Sequence, residues 1–209
     1  MASEIGADWL GLVGPMPSGP GILTLEEARA IAAGCVGRAR PILLTSELRA
    51  SAILRDAAFV GVDAVQVVQH IEPDEAAALA SADITYVQVI HVEGPQALDL
   101  IEHYAPHCDS FLLDSGKPSR NTLGGTGNTH DWSVSAEFMR RAGKPVFLAG
   151  GLNPHNVAEA IQQVRPDGVD ICSGLRRDGR LDPELLNAFM AEVKASAAKL
   201  NTASAPQTL

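Results

Sequence analysis

The chain has no apolar run approaching the roughly 18 residues of a membrane-spanning helix, so no membrane partner is expected. Its opening, Met1-Ala2-Ser3-Glu4-Ile5-Gly6, lacks the basic and apolar regions of a secretory signal. Cysteine is scarce. Cys35, Cys108 and Cys172 are odd in number and scattered, which excludes a disulfide framework and paired metal-ligand spacing. A reducing cytoplasm is the natural compartment for such a chain, and no metal site is expected. Basic excess is absent too: 16 Lys and Arg against 25 Asp and Glu give a net charge of −9. That balance argues against nucleic acid or an anionic membrane as a partner. Any phosphate pocket must therefore rely on local amides rather than on the field of the whole molecule.

What remains is a globular composition, 46% hydrophobic and 20% charged over 209 residues. That is enough for one large domain with a substantial core, taken as residues 1–198, with 199–209 expected to fray as a tail low in apolar content. Short β-rich runs alternate with helical segments almost throughout, the pattern of βα units around a parallel sheet. Strands are expected at Trp9–Val13, Pro41–Thr45, Ala64–Val68, Ile84–Ile90, Ser110–Leu113, Pro145–Leu148 and Gly168–Ile171. Thr24 with Glu27 three residues later predicts a capping box opening a helix. Further helices are expected from Ser46 or Glu47 to about Ala58, at Pro73–Ala80, Gly94–Tyr104, Asp131–Arg141 and Pro154–Val164, and from Pro183 to about Ala197. The helices near Thr24–Ala33 and Pro73–Ala80 read as purely structural. Seven strands are visible where a (β/α)₈ TIM barrel has eight. The segment from Ala2 to Asp8 reads as the end of a helix entering a strand, so the first strand of such a barrel is expected to be missing.

The chemistry concentrates late in the chain. Ala149-Gly150-Gly151-Leu152-Asn153-Pro154 and Asp170-Ile171-Cys172-Ser173-Gly174 each end an apolar run in glycine and small polar residues. Such turns expose backbone N–H groups to an anion, and two in succession match the phosphate site after the last two strands of a barrel. Gly150, Gly151, Ser173 and Gly174 are the candidate phosphate donors, and Asn153 is expected to cap the following helix. Asp114 ends an apolar strand at the mouth, where partial burial would make it a general acid; capping the amides of Ser115 and Gly116 is the equal alternative. Asp170 either bonds a substrate hydroxyl or amine or pairs with an interior cation. Gly125 and Gly127, in the long loop 115–129, are candidates for close backbone approach to a ligand. His70 and His91 both follow apolar strands, and His91 is the candidate base. Arg176 and Arg177 could reach an anion, although a solvated pair is the more usual fate.

From Ala7 to about Val193 these residues resemble phosphoribosylanthranilate isomerase, the tryptophan-biosynthesis family. The resemblance rests on Leu112-Leu113-Asp114, Gly124-Gly125-Thr126-Gly127 with Asp131-Trp132-Ser133, Ala149 to Pro154 with Asn156-Val157, and Gly168-Val169-Asp170 to Ser173-Gly174. It implies a (β/α)₈ barrel that carries out an Amadori rearrangement of an aminoaldose phosphate to an aminoketose phosphate, without cofactor or metal. An acid protonates the furanose ring oxygen to open it to a Schiff base, and a base removes the proton on carbon 2. Asp114 matches the family's acid; Gly150, Gly151, Ser173 and Gly174 match its phosphate site. A homodimer is a possible assembly. The family's catalytic cysteine motif, Lys-Ile-Cys-Gly on the first strand, has no counterpart here. Its carboxylate-binding arginine after the second strand is replaced by the loop Pro17-Ser18-Gly19-Pro20-Gly21-Ile22. Its Gln-Leu-His-Gly segment is Gln66-Val67-Val68-Gln69, and its glutamate after Ser-Gly-Val is Arg176. Three readings follow: an isomerase whose first strand lies upstream of this start, a diverged enzyme acting on another phosphorylated sugar, or a non-catalytic binder of one.

Overall fold

In the computed structural model, residues 2–17, 21–35, 39–116 and 129–203 are described. Seven parallel strands form one curled sheet in sequence order: β1 (Trp9–Val13), β2 (Arg40–Thr45), β3 (Ala64–Val67), β4 (Thr85–His91), β5 (Ser110–Asp114), β6 (Val146–Leu148) and β7 (Gly168–Val169). A short helix α1 (Ala2–Ile5) enters β1. The connections carry α2 (Leu25–Gly34), α3 (Ala50–Val60), α4 (Pro73–Ala80), α5 (Leu100–Tyr104), α6 (Trp132–Arg141) and α7 (Val157–Val164), and α8 (Pro183–Ala203) closes the described chain. No helix among the described residues is long and apolar enough to cross a membrane.

The strands alternate in burial partner with a period of two. On one face Val65, Val67, Tyr86, Ile90, Phe111, Leu113 and Leu148 join the helices in the larger core. On the other, Ile42, Ala64, Val68, Val87, Val89, Leu112 and Ala149 form a smaller inner core, with Leu44 and Phe147 against it. Central strands are covered on both sides, as a parallel sheet requires: β3 is buried throughout, and β4 at every residue after Thr85. The outer strands are less covered. β1 buries only Leu12, and neither residue of β7 is fully buried. β1 and β7 are the edges of the sheet, each pairing on one side only.

The capping box forms as expected: Glu27 N–H donates to Thr24 Oγ1 at 3.1 Å and Thr24 N–H to Glu27 Oε2 at 2.8 Å. Other boundaries differ, each for a local reason. The helix expected from Ser46 or Glu47 starts at Ala50, because Glu47 N–H bonds Thr45 Oγ1 while Glu75 of α4 accepts the Ala50 N–H at 2.7 Å. The segment 94–104 opens as a 3₁₀ turn over Pro95–Asp99 before α5. The helix expected at Pro154 begins at Val157. The last helix runs on to Ala203, past the expected end near Ala197 and into the segment expected to fray. The seventh strand, expected to reach Ile171, stops at Val169, since β6 is its sole neighbour and the chain then turns into a 3₁₀ turn at Ser173–Leu175. A hairpin of β8 (Arg176–Arg177) and β9 (Arg180–Leu181) follows, with Asp178 and Gly179 in the left-handed region at its tip.

Candidate active site

The inner face ends, at the carboxyl side of the strands, in polar groups. Val87 and Val89 are followed on the same face by His91, and Leu112 by Asp114; the two polar residues sit directly across from one another in the β4–β5 register. Gly168 faces inward against the Phe147 ring, and the same alternation brings Asp170 inward just beyond β7. These are the positions where barrel enzymes place catalytic groups.

His91 is buried, with 4% of its surface exposed. Its Nε2 lies 2.8 Å from the Val68 carbonyl oxygen, which can only accept, so Nε2 carries a proton. Nδ1 is buried without a partner among the described residues. Asp114 does accept the Ser115 N–H, at 2.8 Å. Burial still raises its carboxyl above the usual range, more than His91 and the amides of Ser115 and Gly116 lower it. The amide bond of the capping reading is therefore present, alongside a carboxyl raised by burial. Asp170 is crowded by protein yet open to water through the mouth. Desolvation, with the nearby charge of Asp114, pushes its carboxyl up to about 6. His70 stands farther out, its ring centroid 6.0 Å from that of His91, and burial with the nearby His91 lowers its pKa.

Beside the acids lie the two glycine turns. Gly150 and Gly151 have φ of +80° and +66°, a conformation that glycine adopts at no steric cost and that leaves successive N–H groups available to an anion. A Cβ on Gly150 would sit 2.5 Å from Ser115 N, so the turn after β6 presses directly on the one after β5. A Cβ on Gly174 would sit 2.0 Å from the Leu152 carbonyl oxygen, so the turn after β7 presses on the one after β6. The amides of Gly150, Gly151, Ser173 and Gly174 donate to no backbone carbonyl among the described residues. Asn153 is not the helix cap it was expected to be. Its Oδ1 accepts the His155 N–H at 2.9 Å, a local turn, while Asn156 precedes the helix and bonds Asn153 N and Gly151 O. Gly125 and Gly127 lie outside the described residues. Arg177 is no free cation: it pairs with Asp182 at 3.0 Å.

A sequence profile of the family described as N-(5'phosphoribosyl)anthranilate (PRA) isomerase matches residues 43–192, more than half of the chain. The chain belongs to this family. Among relatives, the N-(5'-phosphoribosyl)anthranilate isomerase of Haloferax volcanii is 35% identical over 201 residues, covering 91% of this chain and 85% of that protein. The phosphoribosyl anthranilate isomerase structure from Thermotoga maritima superposes with a TM-score of 0.80 at 28% identity, covering 93% and 91% of the two chains. A further isomerase structure of this family, TM-score 0.77 at 26% identity and the same coverage, holds reduced 1-(o-carboxyphenylamino)-1-deoxyribulose 5-phosphate. Within the phosphoribosylanthranilate isomerase family, the glycine turns were legible as strand ends running into small residues. The buried, half-bonded imidazole of His91 was not, because its bond to Val68 comes from the neighbouring strand.

Proposed function

We propose that this member of the phosphoribosylanthranilate isomerase family performs the Amadori rearrangement of N-(5'-phosphoribosyl)anthranilate for tryptophan biosynthesis, with Asp114 as general acid. The observation that carries the reading is the convergence of Asp114, His91 and Asp170 on the inner rim beside the amide-rich turns at Gly150–Gly151 and Ser173–Gly174. The phosphate is held by those amides, which suit an anion without the help of net charge. Asp114, its carboxyl raised by burial, gives its proton to the furanose oxygen as the C1–O bond breaks and the anilino nitrogen lone pair forms the Schiff base. A base then takes the carbon-2 proton, and the resulting enol tautomerises to the ketose.

His91 is the first candidate base, because a proton on Nε2 leaves Nδ1 with a lone pair and no partner among the described residues. Asp170 is a second reading, favoured by its access to the mouth and a carboxyl at about 6. Turnover of N-(5'-phosphoribosyl)anthranilate decides. Asp114→Asn is expected to lower kcat by about 10²–10⁴-fold. His91→Ala matches that loss and Asp170→Asn leaves kcat nearly intact if His91 is the base; the reverse pattern assigns the base to Asp170. Full activity in Asp114→Asn would overturn the mechanism. A biosynthetic role of this kind agrees with a cytoplasmic location, and a homodimer is the assembly to test by sedimentation.

A further inference from the structure

We propose that Arg176, reaching across the open side of the sheet to the loop after β1, holds the carboxylate of the substrate's aromatic ring. The inference rests on the isomerase reading above and adds to it the residue that selects an anthranilate.

Arg176 opens β8, directly after the 3₁₀ turn that carries the phosphate-site residues Ser173 and Gly174. Its Nη1 donates to the Gly179 carbonyl at 2.9 Å, which fixes one side of the guanidinium to the tip of the hairpin. Its other side faces away from the hairpin. Nη2 lies 3.1 Å from where a Cβ on Gly21 would sit, and Cζ lies 3.9 Å from it. Gly21 belongs to the loop after β1, at the opposite edge of the sheet from β7. Leu23 N–H bonds Val13 O at 2.8 Å, which pins this end of that loop at the carboxyl end of β1, on the rim of the site. The guanidinium therefore bridges the two edges at the level of the mouth.

Its electrostatic position is unusual. Arg177, next in sequence, is paired with Asp182 and reaches Glu184. Arg176 has no carboxylate partner among the described residues, and its Nε is buried without an acceptor. Nη2, which has no acceptor among the described residues, is the guanidinium nitrogen available to donate to a carboxylate. The loop it meets has no cation of its own, reading Pro17-Ser18-Gly19-Pro20-Gly21-Ile22. Gly21, at φ +74°, presents no side chain, and the guanidinium fills the space a side chain there would take. The ligand bound by the related isomerase carries two anionic groups, a phosphate and an o-carboxyl on the ring. In this chain the glycine turns suit the first, and Arg176 is the cation placed to meet the second.

The test is a comparison of two ligands and three proteins by calorimetry: reduced 1-(o-carboxyphenylamino)-1-deoxyribulose 5-phosphate and its phenyl counterpart without the carboxyl, each against wild type, Arg176→Met and Arg176→Lys. Wild type is expected to favour the carboxyl-bearing ligand by about 10- to 100-fold, the range of a charge-assisted pair. Arg176→Met removes that preference and leaves binding of the phenyl ligand nearly unchanged. Arg176→Lys, which keeps the charge and loses the fork, retains part of it. Equal weakening of both ligands in Arg176→Met would assign the guanidinium to the phosphate or to hairpin structure and overturn the inference, as would unchanged binding of both. If wild type binds neither ligand, the isomerase reading itself fails. Binding of both by wild type with no carboxyl preference sinks this inference alone.

Discussion

At the scale of single residues, the strand-end position of Asp114 was legible from the apolar run before it, whereas Asp170, expected within a strand reaching Ile171, lies just beyond β7. Their mutual influence was not legible, since it depends on how far the sheet curls between β5 and β7. That influence has a measurable sign. A carboxyl whose folded-state value lies above its unfolded one binds its proton more tightly in the fold, so acidification stabilises the protein and ionisation costs it stability. For Asp170 the window runs from about 6 down to its ordinary value near 3.8. Asp170→Asn is therefore expected to raise the melting temperature at pH 7.5, with the gain shrinking as the pH falls through 6 and absent by pH 4. Calorimetric melts of both proteins across that range check it; a difference that does not vary with pH would show that the Asp170 carboxyl is not perturbed. Asn153 makes the complementary point. Its type suited a cap, but Asn156, with the same side chain, sits next to the first helical residue.

At the scale of elements, a signal is readable where both partners are close in sequence. Thr24 and Glu27 are three residues apart, and their reciprocal bonds form as the spacing requires. The start of α3 was misplaced because its capping group comes from another element: Glu75 of α4 accepts the Ala50 N–H and pairs with Arg49 at 3.0 Å. Glu75→Ala should destabilise the protein by about 1 kcal/mol, the usual worth of a lost helix cap. Glu72→Ala, which removes a residue that makes no side-chain cap bond at the start of α4, should have little effect. Urea melts of the two variants make the comparison, and equal losses would deny the inter-helix cap. The hairpin Arg176–Leu181 escaped the sequence for a different reason. Two residues per strand are too few to show alternation, and Asp178 and Gly179 mark its turn only in hindsight.

At the scale of the whole molecule, the order of the sheet followed from alternating strands and helices, because successive parallel strands with short crossovers fall side by side. The count of seven strands was right for the main sheet of the described residues, to which the β8–β9 hairpin adds two outside it. An open sheet has edges, and edges exchange. Amide hydrogen exchange is expected to be slowest in β3, β4 and β5, each paired on both sides, and fastest in β1 and β7. Uniform protection across all seven strands would show that something covers both edges in solution. The contacts between turns, Gly174 against Leu152 and Gly150 against Ser115, lie along this rim like overlapping slates. If a phosphoryl group settles on the last slate as proposed, the next one is loaded in turn, and beyond it lies the Ser115 amide that bonds Asp114. Affinity for the headgroup and the proton affinity of Asp114 are then two readings of one thermodynamic coupling, so each should shift when the other is occupied.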